Sequence, residues 1–212
     1  MPHSRAFAVA AGAATLAAVS ASIMIGPAGI GLADALAGDK RAALILFEIR
    51  LPRALAAFLA GAALGAAGAA LQGLLRNPLS DPGVLGVSSA AALCAIIAVY
   101  FNLAAAHALF VPLAAITGAL GAVGLLFALG AGRVSATRLI LVGVGLSAFS
   151  GALIALVMNL APNPFVLSDL VNWLFGSAAN RSFTDIALAA PFMAAGLAAA
   201  LCAAPGLSAL AL

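Results

Sequence analysis

Charge is what this chain has least of. It carries 6 acidic and 9 basic side chains among 212 residues, only 7% of the whole. A water-soluble domain holds roughly 25% charged residues, because its surface must face water. A soluble globule is therefore excluded. The net charge of +3 is too small for a nucleic-acid-binding surface. There are only two cysteines, Cys94 and Cys202, and both fall inside apolar runs, which argues against a disulfide framework or a metal site. No cofactor is expected. Two histidines, His3 and His107, are too few and too peripheral to supply a general base inside an apolar segment. What the chain has in excess is apolar surface: 66% of residues are hydrophobic and the mean hydropathy is +1.24. Those values describe an integral membrane protein.

A helix that crosses a bilayer needs about 20 mostly apolar residues. Candidate spans cover residues 6–26, 54–75, 84–101, 108–130, 139–159 and 186–204. No run alternates in polarity, so a closed barrel is excluded, and the fold class is an all-α, polytopic transmembrane bundle forming a single domain over 1–212. The first span has a rival reading as a cleaved signal peptide, from Arg5 through Ala6–Ala18 to the small residues Val19-Ser20-Ala21. Ile23, Met24 and Ile25 lengthen it towards a true span, and retention is the expectation.

The counts of basic residues on the two sides are nearly even, so the positive-inside rule decides little. Lys40, Arg41 and Arg181 have acidic neighbours in Asp34, Asp39 and Asp185, whereas Arg133 and Arg138 have none in their loop. This favours a cytoplasmic N-terminus. Residues 160–185 form an extracytoplasmic loop in that orientation. Within it Leu167, Leu170, Val171, Leu174 and Phe175 recur at helical spacing, with Ser168 as cap, Asp169 in the first turn and Gly176 as stop. Trp173, the only tryptophan, suits a short amphipathic helix at the membrane surface.

The most informative stretch begins at Arg50-Leu51-Pro52-Arg53, runs through an apolar segment to Leu75, and ends in Arg76-Asn77-Pro78-Leu79-Ser80-Asp81-Pro82-Gly83. Two arginines mark the start of a span and a proline-stiffened polar turn marks its end. Between them Gly61, Gly65 and Gly68 lie on nearly one helical face, where small residues admit a close helix neighbour. Gln72, polar and late in the span, either lines a pathway or bonds a neighbouring helix.

These residues resemble the permease subunits of type II ABC importers, which take up iron–siderophores, haem and cobalamin. The resemblance is carried by Arg50-Leu51-Pro52-Arg53, Gly61 to Gly68 with Gln72, Asn77-Pro78-Leu79 to Asp81-Pro82, and Leu85-Gly86-Val87-Ser88. Ser135-Ala136-Thr137-Arg138-Leu139, Gly143, Asn172-Trp173 and Gly176-Ser177 also fit. It implies a multi-pass inner-membrane transport subunit, not an enzyme. It also implies a second permease subunit, two separate ATPase subunits and a periplasmic binding protein as partners. By the same resemblance Arg50 and Arg53 dock acidic residues of the binding protein, while Asn77 and Leu79 with Ala136 and Thr137 form a cytoplasmic gate. Family permeases have about ten spans and this chain has about six by the span-length criterion. A C-terminally truncated chain is thus expected, with the glycine face of Gly118, Gly121 and Gly124 shaped for spans beyond it. Asp81 through Ser89 looks slightly more like haem or cobalamin permeases than siderophore ones.

The residues also offer two rival readings. Gly145-Leu146-Ser147-Ala148 has the look of an intramembrane serine nucleophile, but no histidine follows on a later helix. A secondary transporter usually needs ionisable residues at mid-membrane, and here every charged residue lies in a loop or at a span end.

Overall fold

The computed structural model describes residues 2–26, 29–129 and 135–211, with side chains described over 6–26, 29–129 and 135–206. Arg133 and the side chain of Arg5 lie outside these. The chain divides into two compact units, residues 1–63 with 178–199, and residues 64–177 with 200–212.

The first unit holds α1 (Pro2–Met24), α2 (Leu32–Leu36), α3 (Lys40–Leu44), a π-helical segment (Ile45–Arg50), the start of α4 (Leu51–Leu75) and the start of α10 (Phe183–Ala211). Local polar groups set where these helices begin. Asp34 accepts from the Gly31 amide at 2.8 Å, Asp39 accepts from the Arg41 amide at 2.8 Å, and Asp185 accepts from both the amide and hydroxyl of Ser182. Each satisfies a donor that a helix start would leave unpaired. From Lys40 to Leu75 the chain is one continuous helical run of 36 residues.

The second unit contains the end of α4, then α5 (Val87–Tyr100), α6 (Leu103–Ala106), α7 (Phe110–Leu129), α8 (Ala136–Asn159), α9 (Pro164–Phe175) and the end of α10. Helix α5 is its hub, packed by α6, α7, α8 and α9. The α5–α7 crossing is tight because Gly118 has no side chain: a Cβ there would lie 2.8 Å from Cys94 Sγ and 2.9 Å from Cys94 Cβ. Ala95, Ala98 and Val111 fill the same interface. Tyr100 closes the far end of α5 by donating its hydroxyl to the Leu160 carbonyl at 3.0 Å.

Three expectations change. Among the described residues five helices, not six, are long and apolar enough to cross a membrane: Ala6–Met24, Lys40–Leu75, Phe110–Leu129, Ala136–Asn159 and Phe183–Gly206. The stretch 84–101 is not one of them, because residues 82–86 form a turn and leave α5 only 14 residues. Gly118 packs against α5 of this chain, while Gly121 and Gly124 meet nothing within 4 Å. Helix α9 starts four residues before Ser168. Its cap is Asn163, whose Oδ1 accepts from the Val166 amide at 2.9 Å, with Pro164 in the first turn where its missing amide costs nothing. Ser168 instead accepts from Asn172 Nδ2 at 3.3 Å, and Gly176 ends the helix at φ 67°.

Candidate functional site

Helix α4 ends in a Schellman arrangement. Arg76 takes the left-handed conformation at φ 49° and the Asn77 amide bonds back to the Gln72 carbonyl at 3.2 Å. The turn that follows is shaped by its own side chains. Asn77 Oδ1 accepts from the Leu79 amide at 2.9 Å, and Asp81 Oδ1 accepts from the amides of Gly83 at 2.6 Å and Val84 at 2.9 Å. Such side-chain turns substitute for the backbone pairing that a helix would have given. Ser80 is buried, and its hydroxyl has no hydrogen-bond partner among the described residues.

The second half of this turn rests on α8. Ser147 Oγ donates to the Gly83 carbonyl at 2.9 Å. Gly143 makes room for the chain: a Cβ there would sit 2.6 Å from Leu85 Cα and 2.9 Å from the Val84 carbonyl oxygen. Gly86 adopts φ 74° and lies against the Gly143 carbonyl and Leu146. Around them Leu75, Leu85 and Leu126 form a buried cluster joined by Ala136, Leu139 and Ile140. Helix α8 begins at Ala136 under a Ser135 cap whose hydroxyl accepts from the Arg138 amide at 3.2 Å.

The sequence-derived gate residues are therefore placed unequally. Ala136 joins the cluster that holds the turn, and Asn77 is half-buried within the turn. Leu79 stands clear at 80% exposure, and Thr137 and Gln72 are exposed. Gly61, Gly65 and Gly68 meet no described atom within 4 Å of a notional Cβ. Ser147, which resembled a nucleophile, gives its proton to a carbonyl, and His107 Nδ1 accepts from the Leu109 amide at 3.1 Å. Sequence reading missed both Ser147 and Gly143 as parts of this site.

In the first unit, the two arginines part company. Arg50 is 8% exposed, and its Nη1 donates to three carbonyls: Ile23 at 3.1 Å, Met24 at 3.1 Å and Ile30 at 3.0 Å. Two of these are the last carbonyls of α1, where a helix leaves acceptors unpaired and its dipole favours a cation. Gly26 lies beneath the guanidinium; a Cβ there would be 2.6 Å from Arg50 Cζ. Arg53, one turn along, is exposed. Docking through both arginines thus meets a difference in availability: Arg50 is engaged inside the chain and Arg53 is open. Among the described residues no three His, Cys, Asp or Glu side chains are grouped to hold a metal ion.

The sequence model of the FecCD transport family matches residues 14–212. The chain belongs to that family. The chain is 40% identical over 157 residues to an uncharacterised ABC transporter permease protein of Bacillus subtilis, covering 72% of this chain and 44% of that protein. It is 39% identical over 145 residues to the achromobactin transport system permease of Dickeya dadantii, covering 68% of this chain and 41% of that one. It is 40% identical over 142 residues to the vitamin B12 import permease of Vibrio vulnificus, covering 66% and 42% respectively. Among solved structures, an inward-facing metal-chelate type ABC transporter aligns with a TM-score of 0.79 and 27% identity over 93% of this chain and 60% of that one. The chain thus spans less than half the length of these curated relatives. As a FecCD protein with five helices fit to cross a bilayer, it is a multi-pass protein of the inner membrane.

Proposed function

We propose that this chain forms part of the permease of an ATP-driven importer that carries an iron chelate, haem or cobalamin inwards. The supporting observation is the match to the FecCD transport family over residues 14–212, with relatives named for achromobactin and vitamin B12 transport. The importer would pair this permease with a second one, take its energy from two ATPase subunits, and receive substrate from a periplasmic binding protein. The turn at Asn77 and Leu79 and the start of α8 at Ala136 and Thr137 serve as its cytoplasmic gate. Arg53 meets a carboxylate of the binding protein, an arrangement suited to the planar, permanently charged guanidinium. Arg50 supports that contact from inside, by fixing the helix that carries Arg53. No Asp, Glu, Lys or Arg falls within residues 54–75, 84–129, 139–159 or 186–206, so the charges gather towards the ends of the spans, which fits a carrier powered by separate subunits.

Orientation is tested by labelling with an impermeant thiol reagent, in a background of Cys94→Ala and Cys202→Ala. A cysteine at position 136 should react only from the cytoplasmic side, and one at position 40 only from outside. Reaction of position 136 in intact cells would reverse the topology.

Docking is tested in the assembled importer. Arg53→Glu should slow association with the binding protein about ten-fold at low salt, because steering acts on encounter. The difference should shrink as salt shortens the screening length to about 8 Å or less. An unchanged association rate at low salt would remove Arg53 from the docking surface. Uptake of a labelled iron chelate, haem or cobalamin by cells whose sole such permease is a protein of its relatives' full length carrying this segment tests transport itself. Failure with all three would defeat the substrate assignment.

A further inference from the structure

Ser147 was left without a role by the transport reading, yet its hydroxyl bonds to a carbonyl 64 residues away in the sequence. We propose that Ser147 and Gly143 are positioning residues for the gate: they hold the turn 77–86 on α8, so that Asn77–Leu79 and Ala136–Thr137 move as one body. This rests on the gate reading given above.

Three features support it. The turn is rigid in itself. Asp81 Oδ1 takes two amides, the Leu85 amide bonds to the Asp81 carbonyl at 3.4 Å, and the Ser88 amide bonds to the Pro82 carbonyl at 3.4 Å. The Gly83 carbonyl already accepts from the Gly86 amide at 3.0 Å and offers its second lone pair to Ser147. The turn is also fitted to α8 and not merely near it, since Gly143 leaves no room for a methyl group between the helix and the backbone of Val84 and Leu85. Finally, Leu75 and Leu85, which flank the turn, share a buried cluster with Ala136, Leu139 and Ile140 in the first turns of α8. Interlocked packing of this kind shifts between discrete arrangements more readily than it deforms. Gate opening then comes from movement of the whole block, not from the turn sliding along α8.

The position of the bond adds to the argument. Ser147 is 11 residues into α8, about 16 Å along its axis at 1.5 Å per residue, close to the middle of a bilayer core of about 30 Å. Non-helical backbone at that depth persists only where protein buries it or a water-filled cavity meets it. Elsewhere in the chain Thr15 and Thr117 turn their hydroxyls back to carbonyls of their own helices, whereas Ser147 reaches across to Gly83.

The test places spin labels at cysteines substituted for Leu79 and Thr137, both exposed, in the Cys94→Ala, Cys202→Ala background. Distances between them are measured in the permease assembled with its ATPase, with and without nucleotide. The wild-type staple should give one narrow distance distribution that nucleotide does not widen. Ser147→Ala should broaden it, and Ser147→Thr, which keeps a hydroxyl, should restore it. In parallel, amide exchange over residues 83–88 should be about three- to twenty-fold faster in Ser147→Ala, the range expected for a hydrogen bond between membrane helices. A wild-type distribution that splits with nucleotide would overturn the coupling. So would a Ser147→Ala variant with unchanged distances and unchanged exchange. The gate reading has its own readout, the access of a cytoplasmic thiol reagent to positions 79 and 137. Access that ignores nucleotide while the distance stays narrow removes the gate but leaves the staple. Access that responds while the distance splits removes the staple but leaves the gate.

Discussion

Gly143→Ala is expected to be among the most damaging single-methyl substitutions in this chain. The added Cβ would lie 2.6 Å from Leu85 Cα and 2.9 Å from the Val84 carbonyl oxygen, both backbone atoms that cannot swing aside. Overpacking of a fitted interior costs about 1–3 kcal/mol, and more where backbone must move. A loss of about 3 kcal/mol is expected, together with separation of Ser147 Oγ from the Gly83 carbonyl. Gly145→Ala supplies the control on the same helix, since nothing lies within 4 Å of its notional Cβ. There the gain in helix propensity, up to about 1 kcal/mol, should leave stability unchanged or raised. Thermal unfolding of the purified protein in detergent should rank the two variants on opposite sides of wild type. Equal effects at 143 and 145 would mean that the turn does not rest on α8.

The second large effect is expected at Arg50. Arg50→Ala deletes bonds to the carbonyls of Ile23, Met24 and Ile30 and leaves a void where a buried guanidinium stood. Hydrogen bonds to charged groups contribute about 1.5–3 kcal/mol each, but water at a membrane edge can reach some of the freed carbonyls. A net loss of about 2–4 kcal/mol is expected on that basis. Arg50→Lys should recover part of it: an ammonium has three N–H donors for the three carbonyls that Nη1 serves, but it leaves unfilled the space that the rest of the guanidinium takes over Gly26. Gly26→Ala should mimic the defect without touching the arginine, since its Cβ would occupy guanidinium space. Protease cleavage after α1 and the unfolding temperature report both variants. If Arg50→Ala weakens only binding-protein association and leaves stability intact, its bonds to carbonyls do not hold in the membrane.

Much of this was legible from residue types. The long apolar runs located α1, α4, α7, α8 and α10, because in lipid the backbone has to satisfy itself within each helix; the helical run before α4, from Lys40, and the far end of α10, at Ala211, lay beyond the expected bounds. Asn77-Pro78 and Asp81-Pro82-Gly83 marked the turn through local chemistry that needs no tertiary partner. What could not be read was where that turn docks. Its partners Gly143 and Ser147 lie some 60 residues later, and a glycine and a serine in an apolar helix carry no label of what they face. Hydropathy also counted Val84 and Leu85 as span residues, since an apolar side chain in a buried turn scores as it would in a helix.

The two arginines show a different limit. At a spacing of three they share a helical face and read as a pair. The π-helical segment ending at Arg50, and the bare backbone at Gly26, send one inwards while the other stays exposed. Helix α9 misled for a third reason: Asn163-Pro164 signals a turn as readily as a helix start, so the cap was sought at the next serine.

The brevity of α5 bears on how the protein is made. With 14 residues it reaches about 21 Å, short of the roughly 30 Å hydrocarbon core that a nascent segment must cross to settle as a span. Leaving the ribosome before α7 and α8, it emerges without the Gly118 groove or the Ser147 hydroxyl that later hold it and its leading turn. Its final seat is therefore set only after synthesis has moved on from Tyr100 by 47 residues, to Ser147. Biogenesis of this chain is then a matter of timing as well as hydrophobicity, with an early segment kept waiting for a late one.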